Sequence, residues 1–510
     1  MANNTAAVSA AETMETTGSL GRTSVSAVKW STALTLGRFL LQLAAQVVLA
    51  RLLGPDSYGL FGLGMIVYTF GAFFSSACFA RNLMQQPEIG PADVRFVFTW
   101  QLIAGGLASL CIYLAAPALS LYFNEPRVEP VIEWLSLACL ISSATATSAN
   151  LIQRNLEFKA YGLMQMLSYA LGYLAVGIPL ALNGAGVQAL VAAWLVQLVS
   201  LMLACYWLQP HSLKPLLWFD GARRTFSFGS TVFVTNIVNW LLNNVDRIVI
   251  GRIINAHAVG LYTAGYNLAT MPNTLLIGPL QSVLLAAGAR LQAERSRLAA
   301  AYRQIFSTIW VLLLPAFVFL AGMAPSIVAM LYGPRWSDTA PVLAILFLAT
   351  PAFIAWGLST PILWHTERKH QEAGLQLPIL IAGIAALFAL AGQGIRVVAA
   401  TTALIVAMRG LCMCIAAFRA LDMPLSTALS PMLRGALLSL PAAGAAWFGA
   451  WIGGTHPLLA LIVGAASASL MLAGIVLRCP HWLGADTHDM LVRFVPALRP
   501  DASAAQERAR

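Results

Sequence analysis

Charge is what this chain has least of. Only 10% of its 510 residues are Asp, Glu, Lys or Arg, where a soluble globular domain carries roughly 25%. With 59% of the residues hydrophobic, there is too little polar surface to cover a water-soluble body, and that class is excluded. Long polar stretches are missing as well, so no room is left for a soluble domain between the apolar runs. Cysteine offers neither a disulfide framework nor a metal set. The seven cysteines fall mostly inside apolar runs, and the nearest pair, Cys412 and Cys414, would point to different sides of a helix. They read as small buried apolar residues.

What is present is a succession of apolar segments of membrane-spanning length. A hydrocarbon core of about 30 Å needs roughly 20 mostly apolar residues per helix, and the chain divides into about fourteen such segments. The spans fall near Trp30–Leu49, Gly59–Ala80, Phe96–Ala116, Val131–Asn150, Ala160–Leu182, Val187–Leu208, Phe228–Ile250 and Val259–Ala287. They continue near Phe306–Leu331, Pro341–Trp364, Gly374–Gly394, Val397–Phe418, Pro431–Ile452 and Pro457–Leu477. The fold expected is all-α and polytopic.

The formal net charge of +10 is not gathered into a patch of the kind that nucleic acid would need. It follows loop parity. Counted from an N-terminus on the inside, roughly twenty basic residues fall inside against about five outside, namely Arg51, Arg127, Arg252, Arg335 and Arg396. Both termini are therefore expected to be cytoplasmic. The first residues are rich in Ala, Ser and Thr and carry Glu12 and Glu15, unlike a cleaved signal peptide, so the first span is read as the anchor. After Arg478, Met490, Leu491, Phe494 and Val495 share one helical face, which fits either a short interfacial helix or a frayed tail.

The chain also repeats itself. Arg51 followed by Tyr58, Gly59, Leu60 and Phe61 returns as Arg252 followed by Val259, Gly260, Leu261 and Tyr262 at the same Arg-to-Gly spacing. Ala116, Pro117, Pro126 and Arg127 return as Ala324, Pro325, Pro334 and Arg335 at one common offset. Each copy holds six spans, an even number, so the copies run parallel. The organisation expected is a cytoplasmic tail over 1–27, an N-lobe of six helices over 28–210, a linker over 211–227 and a C-lobe of six helices over 228–421. Two further helices over 422–478 and a cytoplasmic tail over 479–510 complete it. Two parallel six-helix lobes would enclose a cleft, with alternating access by rocking of one lobe against the other.

Ionisable groups inside hydrocarbon are expensive, and each is a functional candidate. Arg409 lies near mid-depth in a span bracketed by Arg396 and Arg419, with neither Asp nor Glu elsewhere in that helix. It needs either an anionic ligand in a wet cavity or a polar partner from another helix. Arg38 is followed at helical spacing by Gln42 and Gln46, a polar stripe that should face protein or water; Arg38 itself could equally snorkel to the inner interface. The seventh span carries Asn236, Asn239, Asn243 and Asp246 every three or four residues. That face is expected to line the cleft, with Asn239 and Asn243 able to bond sugar hydroxyls and Asp246 either a proton or sodium coupling site or, with Arg247, an outer-interface anchor. The substrate-binding candidates are Arg409, Arg38, Gln42, Asn239 and Asn243, and no catalytic or metal-ligating set is expected. His365, Glu367, Arg368, Lys369, His370 and Glu372 read as a solvated cytoplasmic loop without metal spacing. Arg290, Glu294, Arg295 and Arg297 read as an amphipathic connector.

Several of these segments resemble one family. Arg51–Pro55 with Tyr58, Gly59 and Leu60 look like the turn after the first helix of the Wzx-type flippases of lipid-linked oligosaccharides, in the polysaccharide transporter branch of the superfamily that includes MATE-type multidrug exporters. Asp246, Arg247, Gly251, Gly260, Leu261, Tyr262, Tyr266 and Pro272 look like its seventh-to-eighth helix signature, and Gly333, Arg335 and Trp336 resemble a third motif. The resemblance runs from about Leu20 to Leu477, is moderately specific and names no sugar. It implies fourteen helices in two lobes around a cationic cavity, in the bacterial inner membrane. It also implies export of an undecaprenyl-pyrophosphate-linked repeat unit from the inner to the outer leaflet for exopolysaccharide, capsule or lipopolysaccharide assembly. A polysaccharide polymerase and chain-length machinery would be partners beside the bilayer, and no cofactor beyond a coupling H+ or Na+ is expected. Two rivals remain: a cation-coupled multidrug exporter of the same fold, which would want cavity acids, and a membrane polysaccharide polymerase, which would want a larger outer loop.

Overall fold

A computed structural model describes residues 37–73, 83, 89–219, 230–290, 295–366, 369–478, 482–487 and 490. Among these residues the regular structure is entirely helical, as the composition demands: in hydrocarbon, a helix satisfies its backbone within its own segment. Among the described residues, eleven helices are long and apolar enough to cross a membrane. The chain divides into two compact units, Met1–Trp240 and Leu241–Arg510.

The first unit holds α1 (Gly37–Phe73), α2 (Pro91–Phe123), α3 (Glu129–Arg154), α4 (Phe158–Leu182) and α5 (Val187–Leu208). The next helix, α6 (Ser230–Ile253), contains the boundary between the units. The second unit continues with α7 (Ala256–Arg290), α8 (Arg295–Gly322), α9 (Ala324–Leu331), α10 (Thr339–His365) and α11 (Lys369–Leu390). It ends with α12 (Ile395–Ala420), α13 (Ser426–Gly453) and α14 (Pro457–Arg478).

Most expected spans lie where periodicity puts them, and α5 has the bounds given above. Three differ. The first two spans form one helical run, Gly37–Phe73, interrupted by Gly54 at φ 74°. A left-handed residue followed by Pro55, which lacks an N–H, turns the helical path where the Arg51–Pro55 turn was expected. The span placed at 306–331 is divided: α8 ends at Gly322, and α9 starts afresh with Pro325 in its first turn. Of the connector expected around Arg295, Arg290 closes α7 while Arg295 and Arg297 open α8. Trp30, Arg81, Glu294, Glu367, Arg368 and the tail from Leu491 lie outside the described residues.

The repeat is visible in local geometry. Pro126–Val128 and Pro334–Trp336 are each a single 3-10 turn leading towards a long helix. Gly186 and Gly394, which share the spacing of that pair, both take positive φ ahead of α5 and α12. In the first of these turns Arg127 binds Glu125 at 2.7 Å, and its hydrogen bond holds the Glu125 carboxyl below the usual carboxylate range.

Helix contacts in both units rest on small residues, as expected where lipid gives no hydrophobic drive for association. In the first unit Gly64 meets Val131 and Leu135, and Gly105 meets Ser143. In the second, Gly410 faces the carbonyl of Ala352, Gly435 faces the carbonyl of Trp310, and Gly449 faces Gly464. The residues after α14 also dock. Leu483 packs with Val311 and Leu438, the Thr487 and Ser307 hydroxyls lie 3.0 Å apart, and Arg303 binds Asp486 at 3.2 Å. The start of the expected tail is therefore fastened to α8 and α13.

Gly435 gives the test of this packing. A Cβ there would drive into the Trp310 carbonyl, so Gly435→Ala is expected to cost about 1–3 kcal/mol. Thermal unfolding of the purified protein in detergent reads this out, with Gly444→Ala, where a Cβ meets open space, staying near the native value.

Candidate functional site

The polar groups singled out in the sequence fall into two local environments. In the first unit, Arg38 lies on α1, about 24 Å along the helix from Gly54 at 1.5 Å per residue. It is half-buried and donates through Nη1 to Gln165 Oε1 on α4. Further along α4, Tyr169 and Tyr173 are stacked with centroids 4.4 Å apart. Gln42 is half-buried one turn after Arg38, on the same helix. Arg38 thus has a protein partner within the unit.

In the second unit, Asp246 is 2% exposed. Its Oδ2 accepts from the Tyr262 hydroxyl at 2.6 Å, and its Oδ1 accepts from the Arg247 N–H at 2.8 Å. Arg247 Nε stands 3.8 Å from the same oxygen. Arg247 also donates to the Asn243 carbonyl at 2.6 Å and lies over the Tyr266 ring. Asp246 is thus held inside the α6–α7 pair, about 10 Å from the end of α6 nearest Ile253.

Arg409 is 4% exposed, near the middle of α12. Its Nε donates to Gln376 Oε1 on α11 at 2.9 Å, and its guanidinium carbon sits 3.8 Å above the Trp356 ring of α10. These are interhelical contacts. Asn243, Asp246 and Arg409 line one cavity of about 60 Å³ together with Tyr266, Asn273 and Thr402. That volume accommodates a few water molecules and no sugar. The Asn273 side-chain oxygen has no hydrogen-bond partner there. Among the described residues, no three His, Cys, Asp or Glu side chains come together to hold a metal ion.

The site also contains groups that the sequence reading passed over. Glu372, read as part of a solvated loop, lies in the first turn of α11. Its Oε1 accepts from Gln376 Nε2 at 3.1 Å, and its Oε2 accepts from Trp364 Nε1 at 3.0 Å. The signal was the one-turn spacing of Glu372 and Gln376 at the edge of an apolar run. Asn239 stands on α6, half-buried; Asn236 keeps its place on that helix.

The repeat adds a comparison that single residues do not offer. At the spacing that carries Arg51 onto Arg252, Arg38 falls on Asn239, Gln42 on Asn243, Ala45 on Asp246 and Gln46 on Arg247. Three polar positions of α1 thus fall on polar positions of α6, without matching in residue identity. At the spacing that carries Gly186 onto Gly394, Leu201 falls on Arg409. The cavity of the second unit is lined by polar groups where the first unit has Ala45 and Leu201.

Comparison with known proteins agrees with this architecture. The chain is 24% identical over 335 residues to the lipopolysaccharide biosynthesis protein WzxC of Escherichia coli (strain K12), covering 64% of this chain and 67% of that protein. It is 25% identical over 324 residues to the succinoglycan biosynthesis transport protein ExoT of Rhizobium meliloti (strain 1021), covering 63% and 65%. These matches span about two thirds of each relative's length. Among solved structures, the lipid II flippase MurJ in an inward closed conformation superposes with a TM-score of 0.66 at 15% identity, over 88% of this chain and 98% of that one; the fold is shared. A sequence model of the polysaccharide biosynthesis protein family matches residues 48–341, more than half of the chain, and the protein belongs to that family.

Proposed function

We propose that this protein is a flippase that carries a polyprenyl-pyrophosphate-linked oligosaccharide repeat unit from the inner to the outer leaflet of the bacterial inner membrane. The observation that carries the reading is the duplicated polar stripe, Arg38 and Gln42 on α1 and Asn239 and Asn243 on α6, in a chain otherwise made of apolar spans. A pyrophosphate and several sugars cannot enter hydrocarbon without replacing the water they lose. Guanidinium groups replace it for phosphate, and side-chain amides replace it for hydroxyls. The polyprenyl chain needs no such replacement and can remain in lipid.

On this reading Arg38 and Arg409 are the cations that the phosphates meet, and the amides on α1 and α6 meet the sugars. Asp246, the buried acid of the cavity, is the coupling group for H+ or Na+. Alternating access is the mechanism such a duplicated transporter uses. The distribution of Lys and Arg supports a cytoplasmic side for both termini, and a polysaccharide polymerase with its chain-length machinery would take the product. The names of the relatives, a lipopolysaccharide biosynthesis protein and a succinoglycan transport protein, support this substrate class.

The test is transfer of a fluorescent undecaprenyl-pyrophosphate oligosaccharide between leaflets of proteoliposomes. The native chain is expected to move it, and Arg38→Ala to reduce the rate by roughly tenfold or more, as expected when a charged hydrogen-bond partner is lost. Movement of cationic dyes alone would overturn the reading in favour of a drug exporter. In the same vesicles, Asp246→Asn is expected to abolish the dependence of transport on an imposed H+ or Na+ gradient; an unchanged dependence would remove Asp246 from coupling. Tyr262→Phe, which strips the donor from Asp246 Oδ2, is expected to lower stability by about 1–3 kcal/mol in thermal unfolding.

A further inference from the structure

The contacts of Arg409 do not end at Gln376. They continue through Gln376 Nε2 to Glu372 and from Glu372 to Trp364, while Trp356 covers the guanidinium. Five side chains from α10, α11 and α12 form one polar ladder from mid-depth of the second unit to its α10–α11 end. Asp246 already has Tyr262 and Arg247, and Glu372 is the acid that the ladder joins to Arg409. We infer that Glu372 is the counter-charge of Arg409, transmitted by Gln376, and that it positions the guanidinium for the phosphate-bearing substrate.

Three observations converge on this. A guanidinium in so enclosed a site cannot shed its proton and needs a compensating charge within a connected network. Gln376 has both ends engaged, its oxygen by Arg409 and its amide nitrogen by Glu372, so its orientation is set by the two charges it joins. The ladder is also absent from the other repeat: at the Gly186-to-Gly394 spacing, Met164 stands for Glu372, Ser168 for Gln376, Ser148 for Trp356, Leu156 for Trp364 and Leu201 for Arg409. Glu372 is thus a positioning residue that acts through Arg409.

The inference rests on the flippase reading only for the role of Arg409, and a charge-relocation experiment separates the two. Glu372→Gln removes the carboxylate, and the double variant Glu372→Gln with Gln376→Glu returns one carboxylate directly beside Arg409. Thermal unfolding and leaflet transfer are measured for the native chain, both of these variants, Arg409→Gln, and Arg409→Gln combined with Glu372→Gln. Glu372→Gln is expected to lower the melting temperature and to slow transfer roughly tenfold, the scale for a hydrogen bond to a charged group. The relocated carboxylate is expected to restore both, and Glu372→Gln to add nothing to Arg409→Gln. Native behaviour of Glu372→Gln, or losses that simply add, would overturn the pairing. A melting-temperature rescue without a transport rescue would overturn the positioning role. Absence of transfer by the native chain would fall on the flippase reading, while the unfolding cycle would still decide the pair.

Discussion

A charged side chain within a bilayer must bring its own solvation, and the second unit is organised around supplying it. Arg409 receives an amide oxygen from α11, an aromatic face from α10 and, one step removed, the charge of Glu372. These groups can reach it only if three helices approach closely. Close approach is what Gly410 permits against the Ala352 carbonyl and Gly383 against Ile405. Small residues at the crossings and polar residues beside them are two halves of one solution.

Asp246 follows the same rule with a different set. Its partners come from its own helix turn and from α7, through the Arg247 amide and the Tyr262 hydroxyl. Its carboxylate is satisfied by local contacts, whereas the Arg409 network reaches across three helices. The cavity between them holds polar atoms in a volume suited to water.

The duplication leaves the two units alike in their joints and different in their buried charges. Both units keep the polar stripe, the 3-10 turn and the positive-φ glycine that set the helix joints. Only the second, among the described residues, builds a cavity lined by Asp246 and Arg409. Ala45 and Leu201 stand at the matching places of the first unit, whose charged group on α1 is Arg38.

The amino-acid sequence by itself determined the membrane class, the helical spans and the internal repeat, because apolar length and spacing are properties of the chain read locally. The bounds of α5 and the turn at Gly54–Pro55 were legible in that way, as was the polar load of α6. The break between α8 and α9 was less so, since an apolar run continues across Gly322 and Pro325 and hydropathy does not register a break at the single residue Met323. The partner of Arg409 was not legible at all. Glu372 stands among charged residues at the end of a span and looks like its neighbours in sequence. Only the packing of α10, α11 and α12 brings Gln376 between it and Arg409, because hydrogen bonds select partners by distance and angle in three dimensions, which the order of residues along the chain does not encode.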